Sequence, residues 1–371
     1  MSYPTRALVE LSAIRENVRL IREAAGGAEA MAMVKADAYG HGAVPAALAA
    51  LEGGAGRLGV AYVGEALALR EAGIQAPVMA MVCTPGEEYG RAVAAGVDLG
   101  IGGARLLEEV AVAAGESGRA ARVHLSVDTG MTREGATSRL WSHLVELALK
   151  EQAEGRVEIV GIWSHLACAD DPVHPSVSRQ IKEFREAVEL AERAGVRPEV
   201  RHLANSAAAL HLPDARWDLV RPGIAVYGLS PAPHLPDPGL RPAMTVVSQV
   251  AHTKRAVAGS GVSYGHLYTM SKDANMALVP AGYADGVPRN GSNVLELLVG
   301  GARRRIAGRV CMDQFVVDLG DDTVDEGDEV VLFGPGDRGE PTAQDWAEAT
   351  GTISYEIVTR IGGRVPRTHL Q

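Results

Sequence analysis

Eight short apolar runs, parted by helix-like segments, constrain the fold more than anything else in this sequence. They fall at 30–35, 57–63, 77–82, 97–101, 122–128, 157–165, 199–204 and 218–224. Val, Ile, Leu and Ala fill them continuously rather than in alternation, as in strands buried on both faces of a parallel sheet. Ala/Leu/Glu-rich segments at 43–52, 64–73, 103–114, 137–153 and 178–195 lie between most of them and read as helices. Eight such units predict an α/β chain beginning with a (β/α)8 barrel of the TIM type, whose chemistry sits at the C-terminal ends of its strands. A doubly wound open sheet is the competing arrangement, but no Gly-x-Gly-x-x-Gly follows the first strand. Ahead of the alternation, Ala7–Leu11 reads as a strand, and a helix carrying Ile14, Val18 and Ile21 on one face follows it.

The alternation stops at Ser230-Pro231-Ala232-Pro233-His234-Leu235-Pro236-Asp237-Pro238, a stiff connector. Beyond it come short strands with Gly turns, at 244–256, 275–281, 294–306, 308–318 and 328–333. The expectation is a barrel over 1–235 and a mainly antiparallel β domain over 236–371.

Among the 371 residues, 47% are hydrophobic, enough for a large core, and the net charge of -10 disfavours nucleic acid and anionic membranes as partners. No apolar run reaches the ~18 residues of a membrane span. The start, Met-Ser-Tyr-Pro-Thr-Arg, lacks a signal-peptide core, and three cysteines show no metal-ligand spacing. A reduced, cytoplasmic setting is the reading. His-Glu-x-x-His is absent, and no Cys/His cluster supports a metal enzyme.

Polar residues collect at the predicted strand ends. Lys35 closes the first barrel strand and is followed by Asp37, Tyr39, Gly40, His41 and Gly42, more polar chemistry than an ordinary turn carries. Burial lowers a lysine's pKa and yields a nucleophilic amine. Strand five leads into Asp128-Thr129-Gly130-Met131-Thr132-Arg133, and strand six ends in Ser164-His165. Strand seven gives Asn205-Ser206, and strand eight Arg221-Pro222-Gly223-Ile224. Taken singly, each has a bland reading: a satisfied core histidine, a rim arginine, a helix cap. A cap after strand seven is also where barrels bind phosphate.

These strings resemble those of the alanine racemases. The resemblance includes Lys35 to Gly42, Asp128 to Arg133, Ser164-His165, Ala204 to Ala208 and Arg221 to Gly228. It continues through Val262 to Gly265, Gly282 to Gly286, Gly308 to Gln314 and Thr352 to Glu356. The resemblance implies a pyridoxal 5'-phosphate enzyme that interconverts L- and D-alanine and supplies D-alanine for peptidoglycan. It implies a homodimer with shared sites. Lys35 would carry the cofactor and serve one face of the substrate, and Tyr264 of the partner subunit the other. A free tyrosine has a pKa near 10, so Tyr264 needs such neighbours as His165 and Arg221. Arg221 would also face the pyridine nitrogen. Tyr39, Asn205, Ser206, Gly223, Ile224 and Tyr355 would complete the cofactor site. Arg133 would bind the substrate carboxylate, assisted by the backbone N–H of Met312 of the partner subunit, while Asp313 and Tyr283 would restrict substrate size. In many members a lysine seven positions before the carboxylate-binding arginine becomes a carbamate that orients it. Here that position is Ser126, which cannot.

Other readings stay open at this point. A racemase of wider scope, for serine or basic amino acids, differs only in pocket size. A decarboxylase of the same architecture would favour an acidic partner for the pyridine nitrogen, against Arg221. A cofactor-binding or regulatory protein would need only the barrel.

Overall fold

The computed structural model describes residues 3–236 and 238–371; Asp237 of the predicted connector lies outside them. Two compact units form. One holds Ile14–Ala38 and Ala43–Leu240; the other holds the N-terminal residues through Ala13, Tyr39–Gly42 and Arg241–Gln371. The first strand, β1 (Arg6–Glu10), belongs to the second of these units.

The first unit is the predicted barrel. Its eight parallel strands are β2 (Glu29–Met33), β3 (Arg57–Val60), β4 (Val78–Ala80), β5 (Val97–Ile101), β6 (Ala121–Ser126), β7 (Val157–Trp163), β8 (Val200–His202) and β9 (Leu219–Val220). β2 closes the ring by pairing with β3 at Met31↔Arg57 and with β9 at Ala30↔Val220. The continuous apolar runs are explained by this geometry: β5 is buried at all five positions, between its neighbours, the ring interior and the covering helices. The predicted helices appear at Ala43–Glu52, Val63–Glu71, Ala104–Ser117, Ser138–Ala153 and Pro175–Ala194. Two six-residue helices, Tyr89–Ala94 and Ser206–His211, were too short to announce themselves by periodicity.

The N-terminal rim of the barrel is pinned by ion pairs between strand starts. Arg57 meets Glu29 at 3.0 Å, and Arg122 meets Asp98 and Glu199 at 2.9 Å each. That face of a barrel ordinarily serves stability.

The second unit adds β10 (Met244–Gln249), β11 (His252–Ala256), β12 (Gly261–Val262), β13 (Tyr268–Thr269), β14 (Ala274–Val279), β15 (Glu296–Val299), β16 (Ala302–Arg305), β17 (Phe315–Gly320), β18 (Glu329–Phe333) and β19 (Arg367–Leu370). With β1 they form a six-stranded sheet ordered β16-β15-β18-β10-β1-β19, a three-stranded one ordered β11-β14-β17 and the pair β12-β13. Most pairings are antiparallel, as expected; β1 with β19 is parallel.

Four expectations need correction. The division at 235/236 leaves β1 with the barrel, whereas β1 lies between β10 (Leu8↔Thr245) and β19 (Leu8↔Thr368). Its sequence signals a strand but not the strand's partners. The run 244–256 is two strands, because the chain changes sheets midway: Val250 N–H donates to Asp328 O (2.9 Å) and Ala251 N–H to Leu278 O (2.8 Å). The run 294–306 is likewise a hairpin, β15 and β16, and 308–318 becomes strand only at Phe315. Two unanticipated helices, Ala343–Thr350 and Ser354–Thr359, complete the unit; the first opens with a Thr342/Asp345 capping box.

Candidate active site

Lys35 follows the end of β2, whose last residues are fixed on both sides. Met33 N–H donates to Pro222 O (2.9 Å), Val34 N–H to Gly59 O (2.8 Å), and the Tyr227 hydroxyl to Met33 O (2.8 Å). The chain then turns left-handed. Ala36, Asp37, Ala38 and Tyr39 all have φ of 52–53°. Non-glycine residues avoid this region, at a cost of roughly 1–2 kcal/mol each, and rarely adopt it in series. Side chains and backbone hold the turn: Glu65 accepts from Ala36 N–H (2.6 Å), Asp37 from Ala43 N–H (2.7 Å), and Val34 O from Ala38 N–H (2.9 Å). At Gly40 a Cβ would lie 2.6 Å from Val358 O, so glycine is required for close approach as well as for its φ of 81°.

Around Lys35 the barrel gathers the predicted cations. Burial lowers the Lys35 pKa from its ordinary value; the Arg133 charge lowers it further, and Glu134 and Glu65 oppose the change. His165 is held well below the usual histidine value by burial and then by Arg221, Arg133 and Lys35. Arg221 is 3% exposed. Its Nη2 donates to Ser164 O (2.7 Å), Leu203 O (3.2 Å) and His165 Nδ1 (3.2 Å), and its Nη1 donates to His202 Nδ1 (3.0 Å). The guanidinium carbon also sits 5.2 Å from the centre of the Trp163 ring. Burial pushes the Arg221 pKa down to about 9, still on the cationic side of neutrality.

Because arginine only donates, Arg221 fixes the tautomers beneath it. His202 Nδ1 accepts, so its Nε2–H donates to His124 Nδ1 (2.9 Å); His124 Nε2–H then donates to Asp98 Oδ2 (3.3 Å). Asp98 Oδ1 accepts from Arg122 Nε at 2.9 Å. Burial works against the Asp98 charge, but the hydrogen bonds from His124 and Arg122 prevail and hold its pKa below the usual carboxylate value. A polar line thus runs inside the barrel from the N-terminal rim to Arg221.

The corner expected to take a phosphate is closed by hydrogen bonds. Asn205 caps the Ser206–His211 helix by accepting from Ala208 N–H (3.1 Å), and Ser206 Oγ accepts from Gly223 N–H (2.8 Å). Ser206, Gly223 and Ile224 are all buried.

The remaining expected residues lie in the other unit. Tyr39 and Tyr355 rings meet there, tilted, at 6.2 Å, and burial raises the Tyr39 pKa above the ordinary tyrosine value. Tyr283 N–H donates to Cys311 O (3.0 Å) and Ala284 N–H to Met312 O (3.0 Å), joining those two loops. Asp313 pairs with Arg364 at 2.7 Å. Tyr264 begins a short 3-10 turn and is 70% exposed; the neighbouring Ser263 Oγ donates to Arg309 O (2.7 Å) and lies 3.4 Å from Cys311 Sγ. Among the described residues no group of His, Cys, Asp and Glu could hold a metal ion, and no helix is long and apolar enough to cross a membrane.

Residues 9–231 match the family model of the alanine racemase N-terminal domain, and residues 243–369 that of the C-terminal domain. The chain belongs to the alanine racemase family. The family is one of isomerases, and its members include close relatives of this chain. Alanine racemase of Frankia casuarinae is 56% identical over 367 residues, covering 98% of this chain and 96% of that protein. Alanine racemase of Thermobifida fusca is 55% identical over 369 residues, covering 100% and 99%. The crystal structure of alanine racemase from D-cycloserine-producing Streptomyces lavendulae superposes with a TM-score of 0.99 at 52% identity, covering 100% of this chain and 98% of that one.

Three residues passed over in the sequence help build the site in this family member. Glu65 receives backbone N–H groups from Ala36, Ala61 and Tyr62; its signal was a carboxylate in the first turn of the helix after β3. Gln180 is fully buried and ties the predicted strings together, accepting from Ala167 N–H (2.9 Å) and donating to His165 O (3.0 Å) and Thr129 Oγ1 (3.2 Å). A polar residue on the apolar face of its helix was the clue. The third is Glu134, whose carboxylate takes Arg133 Nε–H (3.1 Å) and Nη2–H (2.6 Å).

The buried histidines set an acid limit on stability. His202, like His165, is held well below the usual value, by burial first and then by Arg221. Once unfolded, both bind protons below about pH 6.5, so the unfolded chain gains protons that the fold refuses. Stability is therefore fully present above that pH and is lost as pH falls, by about 1.4 kcal/mol per pH unit for each histidine. Urea midpoints should be level from pH 8 to 7 and decline below 6.5. A midpoint unchanged down to pH 5 would contradict the assignment.

Proposed function

We propose that this protein racemises alanine with pyridoxal 5'-phosphate, using Lys35 on one face of the substrate and the partner's Tyr264 on the other. The observation that carries the reading is Lys35 itself, an amine made less basic by burial and by Arg133, with His165 and Arg221 beside it. The donor set suits the cofactor: a nucleophilic amine, a buried cation that only donates, and the Ser206–Gly223–Ile224 corner for a phosphate. Tyr39 and Tyr355 are assigned to the same phosphate.

When bound, pyridoxal phosphate supplies an electron-withdrawing ring conjugated to the substrate's α-carbon. Lys35 takes or returns the α-proton on its side, and its lowered pKa leaves more of the amine able to accept one near neutral pH. Tyr264 acts on the other side and exchanges its proton through His165. Neutral His165, with Nδ1 occupied by Arg221, has its proton on Nε2. Arg221, which donates without yielding a proton, would hold the ring nitrogen uncharged and so discourage competing decarboxylation and transamination. Arg133 would bind the substrate carboxylate together with the backbone N–H of Met312 of the partner subunit, and Tyr283 and Asp313 would limit the size of what enters. The exposed Tyr264, Tyr283 and Met312 suit a face covered by a second copy of the chain, hence a homodimer. In the cell the product would be D-alanine for peptidoglycan, made in the cytoplasm.

The test is chiral. Purified protein with pyridoxal phosphate should drive the circular dichroism of L-alanine or of D-alanine to zero, and do so far faster than for serine or lysine. Equal rates for serine or lysine would replace the assignment by a racemase of wider scope. Released carbon dioxide with retained handedness would make the protein a decarboxylase.

A further inference from the structure

Arg133 stands on a loop with no slack. Asp128 Oδ1 accepts the backbone N–H groups of Gly130 (2.9 Å), Met131 (3.0 Å) and Thr132 (3.1 Å). The loop is closed behind Arg133, where Asp128 N–H donates to Ala136 O and Ala136 N–H to Ser126 O, both at 2.9 Å. At Gly135, with φ of 99°, a Cβ would come within 2.7 Å of Asp128 N and 3.0 Å of Ser126 Oγ. The backbone at 133–135 is therefore set, so pairing Arg133 with Glu134 requires only the two side chains to order.

On this frame Glu134 grips the side edge of the Arg133 guanidinium through Nε and Nη2. That edge is one of two that can bind a carboxylate in a fork; the Nη1–Nη2 end is the other. Glu134 also lines a cavity of about 240 Å³ together with Ser126, Gly102 and Trp163. The short Ser126 thus leaves space beside Glu134.

We infer that Glu134 is a positioning residue for substrate binding: by holding the Nε edge of Arg133 it presents the Nη1–Nη2 end to the amino acid's carboxylate. The inference rests on the role given to Arg133 above. It also supplies the fixed negative charge that Ser126 cannot provide as a carbamate, without any modification of the chain.

The holoenzyme variants Glu134→Gln, Arg133→Gln and their combination test it, with the cofactor absorbance band reporting an intact site. Glu134→Gln should raise KM for L-alanine about tenfold, the size of one lost charge-assisted contact, with kcat changing far less. Inhibition by propionate, which is alanine without its amine, should weaken by the same factor. Inhibition by ethylamine, which lacks the carboxylate, should not weaken. The double variant should be no worse than Arg133→Gln alone, because Glu134 acts through Arg133. Glu134→Asp, which keeps the charge at shorter reach, should recover part of the loss. Propionate inhibition within twofold of the parent enzyme in Glu134→Gln, or additive losses in the double variant, would overturn the proposal. If Arg133→Gln itself leaves propionate inhibition unchanged, the role of Arg133 is wrong and the proposal falls with it.

Discussion

Replacing Lys35 by alanine is expected to lower kcat/KM for L-alanine by about 10⁴-fold, the upper range for losing a positioned acid/base group. The fold should survive. Lys35 contributes no packing that the strand end depends on, since Met33 and Val34 are held by backbone bonds and by Tyr227. Removing its charge also relieves repulsion with Arg133 and Arg221, so the urea midpoint should stay level or rise slightly. Borohydride should no longer fix the cofactor to the protein. Activity within a hundredfold of the parent enzyme would mean that another amine does the work, and the proposed chemistry would have to be moved.

Tyr264→Phe is expected to cost about 10²- to 10⁴-fold in racemisation, again the scale of one acid/base group. Tyr264 is largely exposed on its own subunit, so loss of the hydroxyl should leave that subunit's stability within about 0.5 kcal/mol. The informative measurement is proton exchange in heavy water, followed by NMR for each enantiomer separately. With one base per face, the variant should still exchange the α-proton of the enantiomer that presents it to Lys35, and should lose exchange of the other. Loss of exchange for both enantiomers alike would favour a single base and exclude the division of labour proposed here.

Much of the barrel was legible because burial on both faces forces strands into unbroken apolar runs, and the strand-end strings stood where a barrel puts its chemistry. What stayed hidden depends on partners far away in sequence. Asp98, His124 and His202 look unremarkable one at a time; only closure of the ring aligns them into a chain of hydrogen bonds. The left-handed turn was invisible because alanine carries no mark of a positive φ. Glu134 drew no notice because side chains at adjacent positions ordinarily point apart; Gly135 and the Asp128 loop fix the geometry that brings it to Arg133. The strand-end residues could be named as candidates from the sequence, whereas Glu65 and Gln180, which hydrogen-bond around them, could not.

The placement of β1 has a consequence for synthesis on the ribosome. Its strand partners lie at the far end of the chain: the Thr5 hydroxyl bonds to Ser248, 243 residues away, and Leu8 pairs with Thr368. At roughly 5–20 residues per second, the first strand emerges tens of seconds before its neighbours exist. The barrel strands, β2 to β9, all emerge in that interval and can close while β1 waits as an unpaired edge, the kind of segment that recruits strangers. A nascent chain stalled far enough beyond Leu240 for β9 to clear the exit tunnel should therefore carry a protease-resistant barrel and a protease-sensitive N-terminus. Deleting the first ten residues would injure the C-terminal sheet rather than the barrel they precede.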